Sequence, residues 1–475
     1  MERAKNNLQL FDTSSEVGNQ EKTFLIHGTD KIPIYAESTS KNSLSSRYLG
    51  QRRHNHPDEP VRLLIKDNGD SVELGPCRIL PDTNLNGYGG RLFFTNEVYD
   101  FESLLGKDKI LKLQIPFSDL PHVMARKDAI RLSFKEYTAD LTYDLNVYKN
   151  LFDEMDTQYR QEPAEIRESL QKAIIETEGR KFNQYLNDKL LELGQIVADF
   201  TVKEHQQHGY YFRKQLWNFI KCSAFMTRTN LKPRGYAGDS EIMKMVYLNE
   251  YQGDSTFEKL MHKFPIDQPG AQSVRHRRII IVQMLRKIEN EMPISGQQGL
   301  RVLSVACGPA FEVGDILVSP RSFKKYHFTL LDQDRLALNE ASKIIHDVEK
   351  KSDTKAQVKY VEASVRLLIT NRSFKRNLGN FDFIYSMGLF DYLSPRVAKV
   401  VLENLYQLLN LGGRMIIGNF HSSNQSKCLL DYWLDWNLYH RTEKEFLDLI
   451  NDVPYAEVSI FFEDTGNQMF LNIKK

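Results

Sequence analysis

A glycine-containing loop and a distant acidic residue are the first features of this sequence that suggest chemistry. The segment Val302–Val313 reads VLSVACGPAFEV, an apolar run that leads straight into Gly308. A glycine directly after a buried strand lets the backbone turn sharply and lets a ligand approach where a Cβ would stand. Asp332 lies 24 residues further on, at the end of the next apolar run. An acid there accepts both ribose hydroxyls, so the pair predicts a site for a nucleoside-containing cofactor; the alternative is a surface loop with Asp332 as a helix cap.

Two further segments are predicted to face the same crevice. YSMGLFDYL, residues 385–393, follows the fourth strand-like run of this region, and GNFH, residues 418–421, follows the fifth. Residues just beyond the carboxyl ends of the strands face the ligand in a doubly wound sheet. The aromatic-rich stretch DYWLDWNLYHRT, residues 431–442, is predicted to be a helix that walls off an apolar acceptor pocket. Core packing explains its tryptophans equally well.

The elements that must position these residues alternate between strand and helix. Five strand-like runs are separated by amphipathic helical segments, and they begin at Leu300, Tyr326, Val358, Phe381 and Arg414. Such alternation implies right-handed crossovers and a parallel sheet. Two final runs, 457–462 and 469–473, add a terminal hairpin that an ordinary dinucleotide-binding fold does not contain. We therefore predict an α/β fold, with a seven-stranded Rossmann-like domain over residues 296–475.

Two regions of different character precede this domain. Residues 22–130 contain short alternating runs broken by turn signals such as Asn68-Gly69, which predicts a small antiparallel β-barrel. Residues 131–295 carry apolar side chains at helical spacing and predict a helical domain, interrupted by a loop at 232–238, KPRGYAG. The first 21 residues are polar, and we expect them to be disordered.

The composition argues against several other classes of protein. The chain has 475 residues, of which 26% are charged, with a formal net charge of +1, so it gives no support for binding nucleic acid polymers or membrane surfaces. No apolar run approaches the roughly 18 residues that span a bilayer, and no secretory signal is visible, so we expect a cytoplasmic protein. Four separated cysteines and a lone EHQQH segment at 204–208 do not form a metal-binding pattern, and we predict no metal.

The glycine loop, Asp332 and the terminal hairpin together resemble the class I, seven-stranded S-adenosylmethionine-dependent methyltransferases. The resemblance implies that Ser304–Ala310 lines the methionine part of this cofactor, that Asp332 binds its ribose, and that the segment 363–365 lies near the adenine. The cofactor-binding residues that it implies are Ser304, Ala306, Gly308, Ala310, Asp332, Gln333, Ser364, Val365, Ser386 and Met387.

The sequence departs from that family at two positions. The acidic residue common in the first motif is Ser304 here, and a common third glycine is Ala310. Both residues are small, so we expect the cofactor to bind, but the methionine amine is left to find another partner. A dehydrogenase is the competing use of such a fold. The GPA spacing of the loop, in place of GxGxxG, and the terminal hairpin argue against it.

Several longer segments are similar to bacterial methyltransferases that make 3-hydroxypalmitic acid methyl ester, an extracellular signal used in quorum sensing. They are YSMGLFDYL, IIGNFH, the DW…YHRT stretch, RTNLKPRGYAGDSEIM at 228–243 and QSVRHRR at 272–278. This resemblance covers most of residues 140–475. It implies that the helical domain is a lid over the methyltransferase crevice, and that the product is a fatty acid methyl ester.

Methylation of a carboxylate is consistent with these segments. A carboxylate is already a nucleophile at neutral pH and needs no general base, but a cation or a tyrosine must orient it. The catalytic candidates are Tyr236, Arg275, Arg278, Asn419 and His421, with Arg234, His276 and Arg277 as further candidates on the lid. A solvated helix face is the alternative explanation for the arginine cluster.

The N-terminal barrel resembles a PilZ domain, the bacterial receptor module for cyclic di-GMP. The RxxxR pair of that family becomes Arg52…His56 here, with Arg53 beside it, and its D/NxSxxG motif becomes the segment 84–89, NLNGYG. The resemblance implies that cyclic di-GMP is a regulator, bound by Arg52, Arg53, Asn84, Asn86 and Gly89. A degenerate barrel that only docks against the lid is the alternative.

The sequence therefore predicts transfer of a methyl group from S-adenosylmethionine to a small acceptor. The carboxylate of a hydroxy fatty acid is the favoured acceptor, and no nucleic acid polymer is expected as a partner. Two alternatives stay open: a hydroxyl or amine on another small molecule as the acceptor, and a non-enzymatic sensor linked to cyclic di-GMP.

Overall fold

A computed structural model describes residues 23–27, 30–40, 43–48, 61–67, 70–81, 89–94, 127–291 and 299–475. The chain divides into two compact units, residues 1–125 and residues 126–475. The helical segment and the α/β segment therefore belong to the same compact unit.

The described residues of the first unit form six antiparallel strands, which close into a barrel in the order β1-β2-β3-β6-β5-β4. These strands are β1 (Thr23–His27), β2 (Asp30–Ser40), β3 (Ser43–Tyr48), β4 (Val61–Asp67), β5 (Asp70–Pro81) and β6 (Gly89–Phe94). Leu25, Leu63 and Leu92 are fully buried. Asp67 pairs with Asp70, so β4 and β5 are adjacent antiparallel strands; Asn68 and Gly69 lie outside the described residues.

The predicted cyclic di-GMP ligands fall mostly outside this description. Gly89 is the first residue of β6. Residues 1–21 and the side chains of Arg52, Arg53, Asn84 and Asn86 lie outside the described residues.

The second unit begins with a series of helices, as the apolar spacing predicts. They are α1 (Leu132–Gln158), α2 (Ala164–Glu176), α3 (Glu178–Ile196), α4 (Val202–Gln215), α5 (Trp217–Ile220), α6 (Ala224–Leu231), α7 (Ser240–Leu248), α8 (Thr256–Asp267) and α9 (Pro269–Glu291). On α1, Phe134, Leu141 and Leu145 are fully buried, because they recur on one helical face. None of the helices described here is long and apolar enough to cross a membrane.

A seven-stranded sheet follows, in the order β12-β13-β11-β10-β7-β8-β9. Its strands are β7 (Leu300–Val305), β8 (Tyr326–Asp332), β9 (Gln357–Glu362), β10 (Phe381–Ser386), β11 (Leu409–Phe420), β12 (Glu457–Phe462) and β13 (Gln468–Lys474). Strands β7 to β11 are parallel, whereas β13 runs antiparallel between β11 and β12. The predicted Rossmann-like sheet with a terminal hairpin is confirmed.

The helices of this α/β segment cover the sheet and follow its strands. They are α10 (Phe311–Ile316), α11 (Pro320–Lys325), α12 (Arg335–Ser352), α13 (Arg366–Thr370), α14 (Arg372–Leu378), α15 (Pro395–Gln407) and α16 (Glu443–Leu447). The strand order reverses between β7 and β10. Ligands of open α/β sheets bind in the crevice at such a reversal, outside the carboxyl ends of the strands.

The aromatic stretch 431–442 does not form the predicted helix, and that prediction was wrong. One π turn, Leu429–Trp433, is followed at Asp435 by a φ of 49°, and residues 435–440 have no regular structure. The N–H of Trp436 donates to the carbonyl of Leu430 at 2.8 Å, which folds the chain back on this turn. Burial of both tryptophans outweighs the helical pattern, because Trp433 and Trp436 are each at most 9% exposed.

Candidate functional site

The loop between β7 and α10 is the centre of the candidate site. Ala306, Gly308 and Ala310 have positive φ angles of 53°, 55° and 49°. The N–H of Cys307 donates to the carbonyl of Leu331 in β8 at 3.2 Å, which ties the loop to the neighbouring strand. A Cβ placed on Gly308 would meet nothing within 4 Å. The space in front of Gly308 is therefore open, as expected for a turn that a ligand approaches closely.

Asp332 ends the adjacent strand and faces this loop. Its side chain is 5% exposed. One carboxylate oxygen accepts the N–H of Gly308 at 2.8 Å, and the other accepts the N–H of Asp334 at 2.9 Å. Burial raises the pKa of Asp332, and these backbone hydrogen bonds oppose that rise. Each oxygen keeps a second lone pair, so the carboxylate can accept two further donors.

These groups fit the nucleoside of S-adenosylmethionine. A buried carboxylate with free acceptor capacity suits two adjacent ribose hydroxyls, and the open glycine loop beside it leaves room for the rest of the molecule. The residues that would hold the ribose and the chain beyond it are Asp332 and the loop 305–310.

A chain of buried polar groups lies beside the loop. Ser304 and Tyr385 are paired across β7 and β10, and Ser304 is 1% exposed. The Tyr385 hydroxyl donates to a carboxylate oxygen of Glu312 at 2.8 Å. Burial raises the pKa of Glu312, and the bond from Tyr385 opposes that rise. The sequence did not single out Glu312, because an acid in the first turn of a helix is ordinary.

The other predicted cofactor residues lie at the ends of neighbouring strands. Ser386 is fully buried, and its hydroxyl donates to the carbonyl of Val305 at 2.9 Å, which joins β10 to β7. Met387 follows it directly. Ser364 and Val365 come just before α13, after β9, and Gln333 is exposed next to Asp332. We call the convergent set the strand-end site; it consists of Ser304, Gly308, Asp332, Ser386 and Met387.

The loop between α6 and α7, residues 232–239, contacts α12. It begins at Lys232, where a φ of 49° ends α6, which confirms the loop predicted at KPRGYAG. Arg234 donates from Nη1 to Asp334 at 2.9 Å and from Nη2 to Glu340 at 3.0 Å. Because Asp334 is two residues beyond Asp332, this ion pair fixes the loop next to the strand-end site.

Gly238 in the same loop packs against two aromatic residues. A Cβ at this position would clash with the ring of Trp436 and stand 2.6 Å from the hydroxyl of Tyr392. The indole N–H of Trp436 donates to that hydroxyl at 2.8 Å. Only glycine allows this approach, so the position requires a residue without a side chain.

Tyr236 remains available for a ligand. Its ring meets that of Tyr392 edge-on, with centroids 6.2 Å apart. Burial raises the pKa of its hydroxyl, and the charges of Asp332 and Asp334 add to that rise. Among the described residues its hydroxyl has no hydrogen-bond partner. Tyr236 is therefore a protonated donor close to the strand-end site.

The two arginines predicted to anchor the acceptor are already paired within the protein. Arg275 donates to the carbonyls of Val246 and Ile266 at 3.3 and 2.9 Å, so it caps the ends of two helices. Arg278 forms a bidentate ion pair with Asp315 at 2.5 and 2.7 Å. Both guanidinium groups are therefore engaged within the protein, and their role as anchors of the acceptor stays a prediction.

Arg277, which lies between Arg275 and Arg278 on α9, points to the end of β10. It is 8% exposed, and its Nη1 donates to the carbonyl of Met387 at 3.0 Å. Its Nη2 lies 3.2 Å from the sulfur of Met243, and its Nε has no partner among the described residues. Successive helical residues point about 100° apart, so only one of these arginines faces the strand ends.

Asn419 and His421 are also engaged elsewhere. Asn419 is fully buried; its amide nitrogen donates to the carbonyls of Phe420 and Tyr439, and its oxygen accepts from Arg441. The ring nitrogens of His421 lie 2.6 Å from the hydroxyl of Ser423 and 3.1 Å from a carboxylate oxygen of Glu443. Asn419 holds the 435–441 segment, whereas His421 joins its own turn to the start of α16. The structure brings neither side chain to the strand-end site.

Asp391 is a buried carboxyl that sequence reasoning missed. It is 2% exposed, and one oxygen accepts the N–H of Phe420 at 2.7 Å. Burial raises its pKa to about 7, although the bond from Phe420 and the charges of Arg277 and Arg441 oppose the rise. No local pattern marks such a residue, since its environment comes from distant elements.

The EHQQH segment makes contacts within the protein. His205 lies 2.8 Å from the hydroxyl of Tyr432, and His208 accepts the N–H of Arg131 at 3.0 Å. Within the part of the chain that the structure describes, no group of three or more His, Cys, Asp or Glu side chains could hold a metal ion.

Comparison with known proteins finds partial likeness at the level of structure. No protein-family model matches the chain, and no curated protein matches it. A possible exported protein from Bordetella parapertussis matches with a TM-score of 0.43 and 14% identity, over 62% of this chain and 95% of that one. Magnesium protoporphyrin IX methyltransferase from Synechocystis PCC 6803 matches with a TM-score of 0.31 and 11% identity, over 43% and 83%. The CurJ carbon methyltransferase matches with a TM-score of 0.35 and 12% identity, over 57% and 70%.

Proposed function

We propose that residues 126–475 bind S-adenosylmethionine at the carboxyl ends of β7, β8 and β10 and transfer its methyl group to a small acceptor. The main support for this proposal is the hydrogen bond of 2.8 Å from Gly308 to Asp332, which joins an open loop to a buried carboxylate. The cofactor supplies an electrophilic methyl group on a sulfonium. The family resemblance of the loop, the acid and the terminal hairpin supports the same function.

The residues of the chain have three tasks in this proposal. Asp332 accepts the ribose hydroxyls, and its bond to Gly308 holds the loop in its binding conformation. The loop 232–239 acts as a lid, because Arg234 fastens it to α12 beside the site. The hydroxyl of Tyr236, on this lid, donates a hydrogen bond to the acceptor and stays protonated. Excluding water strengthens each of these contacts.

We propose the carboxylate of a hydroxy fatty acid as the acceptor. The aromatic group formed by Tyr236, Tyr392 and Trp436 offers an apolar wall for an acyl chain. An acceptor oxygen forms the new bond to the methyl carbon, the carbon–sulfur bond breaks, and its electron pair goes to sulfur. No proton moves, so no general base is needed, and orientation of the reacting oxygen contributes most of the rate.

The N-terminal barrel is proposed to bind cyclic di-GMP and so to regulate the enzyme. The support is the RxxxR-like and NLNGYG segments, with Arg52, Arg53, Asn84, Asn86 and Gly89 as ligands. Guanidinium groups grip phosphate oxygens bidentately, so Arg52→Ala and Arg53→Ala should each weaken binding at least tenfold. Titration of cyclic di-GMP into the full chain measures this, and saturable binding unchanged in both variants would contradict the assignment.

Two measurements test the methyltransferase proposal. Calorimetry with S-adenosylmethionine should give micromolar binding to the full chain, and absence of binding would refute it. Incubation with a methyl-labelled donor and a lipid extract should then give a labelled product. Label that mild base releases identifies an ester, whereas label resistant to base places the methyl group on a hydroxyl or an amine. Donor binding without any transfer would favour a sensor.

A further inference from the structure

A buried acidic side chain, Glu312, lies beside the strand-end site. The first strand carries Ser304 where related proteins often carry an acid. Tyr385, beside Ser304 in the sheet, donates to Glu312 at 2.8 Å, so the Glu312 carboxylate lies next to the end of this strand. Glu312 is 8% exposed, and no cation lies within ion-pair distance of it among the described residues. The Glu312 carboxyl is therefore buried without a cation in contact with it.

Arg277 is a buried cation in the same neighbourhood, and it too lacks a partner of opposite charge. No carboxylate lies within ion-pair distance of it in the described part of the chain. It binds the carbonyl of Met387, two residues beyond Tyr385, at 3.0 Å. Its Nε is buried and has no hydrogen bond. A buried charge without a counterion is costly, and such groups are usually paired or bind a ligand.

Neighbouring residues fix the direction of Arg277. His276, one position earlier on α9, is bonded to Glu463 at 3.0 Å, and Glu463 also accepts the N–H groups of Thr465 and Asn467 in the turn between β12 and β13. This contact anchors α9 on the terminal hairpin. Gln468, at the start of β13, donates to the same Met387 carbonyl at 2.8 Å, so two side chains meet at this point.

The two unpaired charges are close enough to act on each other. Burial raises the pKa of Glu312, and the positive charge of Arg277 is among the influences that lower it. Arg277 contacts the residue that follows β10, and Glu312 contacts Tyr385 near the end of the same strand. A ligand group that carries both charges matches this arrangement, and an α-amino acid is such a group.

We propose that Arg277 and Glu312 bind the amino-acid end of the methyl donor, with the carboxylate on Arg277 and the ammonium on Glu312. This inference rests on the proposed function, since it assigns the part of the donor that Asp332 does not reach. It gives Glu312, on a helix, the role that an acid on the first strand has elsewhere. Arg277 and Glu312 are binding residues and take no part in bond making.

A series of donor analogues tests this assignment by calorimetry on the full chain. S-adenosylmethionine carries both charges, its decarboxylated form keeps the ammonium, and 5′-methylthioadenosine has neither. The wild-type protein should bind the first about tenfold or more tighter than the second, and the second tighter than the third. Equal affinity for all three would overturn the inference while leaving the nucleoside site intact. Binding of none of them would refute the proposed function itself.

Substitutions then assign each charge to a residue. Arg277→Gln should weaken S-adenosylmethionine about 10- to 100-fold and leave 5′-methylthioadenosine unchanged. Glu312→Gln should weaken both ammonium-bearing ligands about tenfold and spare the third. Arg286→Gln is the matched control, because Arg286 is an exposed arginine on the same helix. An equal loss for all three ligands in Arg277→Gln would show a structural role and overturn the assignment. If a variant fails to fold, the wild-type ligand series decides.

Discussion

The strand-end site and the 232–239 loop lie side by side, but different interactions hold them. At the strand-end site, backbone N–H groups of the loop after β7 bond to β8: Gly308 donates to the Asp332 carboxylate and Cys307 to the Leu331 carbonyl. The loop depends on side chains from distant parts of the sequence, such as Arg234 and Asp334, which are 100 residues apart. A short motif can specify the first kind of site, whereas the second kind depends on the whole fold.

The largest expected effect comes from a substitution in the strand-end site. Asp332→Asn replaces an acceptor of the Gly308 and Asp334 N–H groups by an amide whose nitrogen cannot accept. We expect the affinity for S-adenosylmethionine to fall about 100-fold, because charge-assisted bonds are lost and one N–H is left unpaired. Calorimetry measures this loss, with Asp347→Ala, an exposed acid on α12, as the control. Unchanged affinity would place the nucleoside elsewhere.

The next largest effect comes from a substitution in the 232–239 loop, which distant side chains hold in place. Arg234→Gln removes the cation between Asp334 and Glu340, which leaves carboxylates facing each other with little solvent. We expect the free energy of unfolding to fall by about 2 kcal/mol, since an ion pair that loses one partner leaves an uncompensated charge. Urea unfolding of the full chain measures it. A variant as stable as the wild type would mean that the loop is not held by this pair.

Two glycine substitutions sharpen the comparison. Gly308→Ala puts a methyl group into open space, at a φ that Ala306 and Ala310 also adopt, so we expect a stability loss of only about 1 kcal/mol but about tenfold weaker donor binding. Gly238→Ala forces a methyl group against Trp436 and Tyr392, so acceptor turnover should fall more than donor binding. Calorimetry and steady-state kinetics separate the two. If Gly308→Ala mainly lowered turnover and Gly238→Ala mainly lowered donor binding, the roles assigned to these two loops would be wrong.

The last prediction concerns Asp391 and the pH dependence of stability. Its folded pKa is raised to about 7, so its contribution to stability is full below the usual carboxyl pKa and is lost as the pH rises through about 7. Asp391→Asn removes this titration. The wild type should therefore lose stability relative to the variant as the pH rises from 4 to 8, and urea unfolding of both proteins at several pH values measures this change. A difference that stays constant across this range would show that Asp391 ionises normally.

The sequence could predict the sheet, and the edge of it where Gly308 and Asp332 lie, because both follow local rules. A buried strand, a glycine and an acid at the end of the next strand were enough to predict that Gly308 and Asp332 lie at the same edge of the sheet. The terminal hairpin was equally visible, since β12 and β13 show as apolar runs on either side of a turn. These features need only the neighbouring residues of the same strand or turn.

The side chains that complete the site could not be predicted in the same way. Arg275, Arg277 and Arg278 look alike in sequence, and only the packing of α9 against the hairpin determines which one meets Met387. Glu312 lies on α10 and Ser304 on β7, and no sequence pattern relates the two positions, which Tyr385 connects in the fold. The stretch 431–442 has helical spacing, but burial of Trp436 favours an irregular path. In each case the deciding contact joins distant elements.

The place of β13 in the sheet has a consequence for how the chain folds during synthesis. This strand follows all the others in sequence, yet it lies between β11 and β12 and hydrogen-bonds to both. Until residues 468–474 leave the ribosome, one long edge of β11 has no neighbour and can pair with another chain. While β7 to β12 are being made, this edge of the sheet therefore stays exposed, and the nascent chain is prone to associate with other chains until β13 pairs with it.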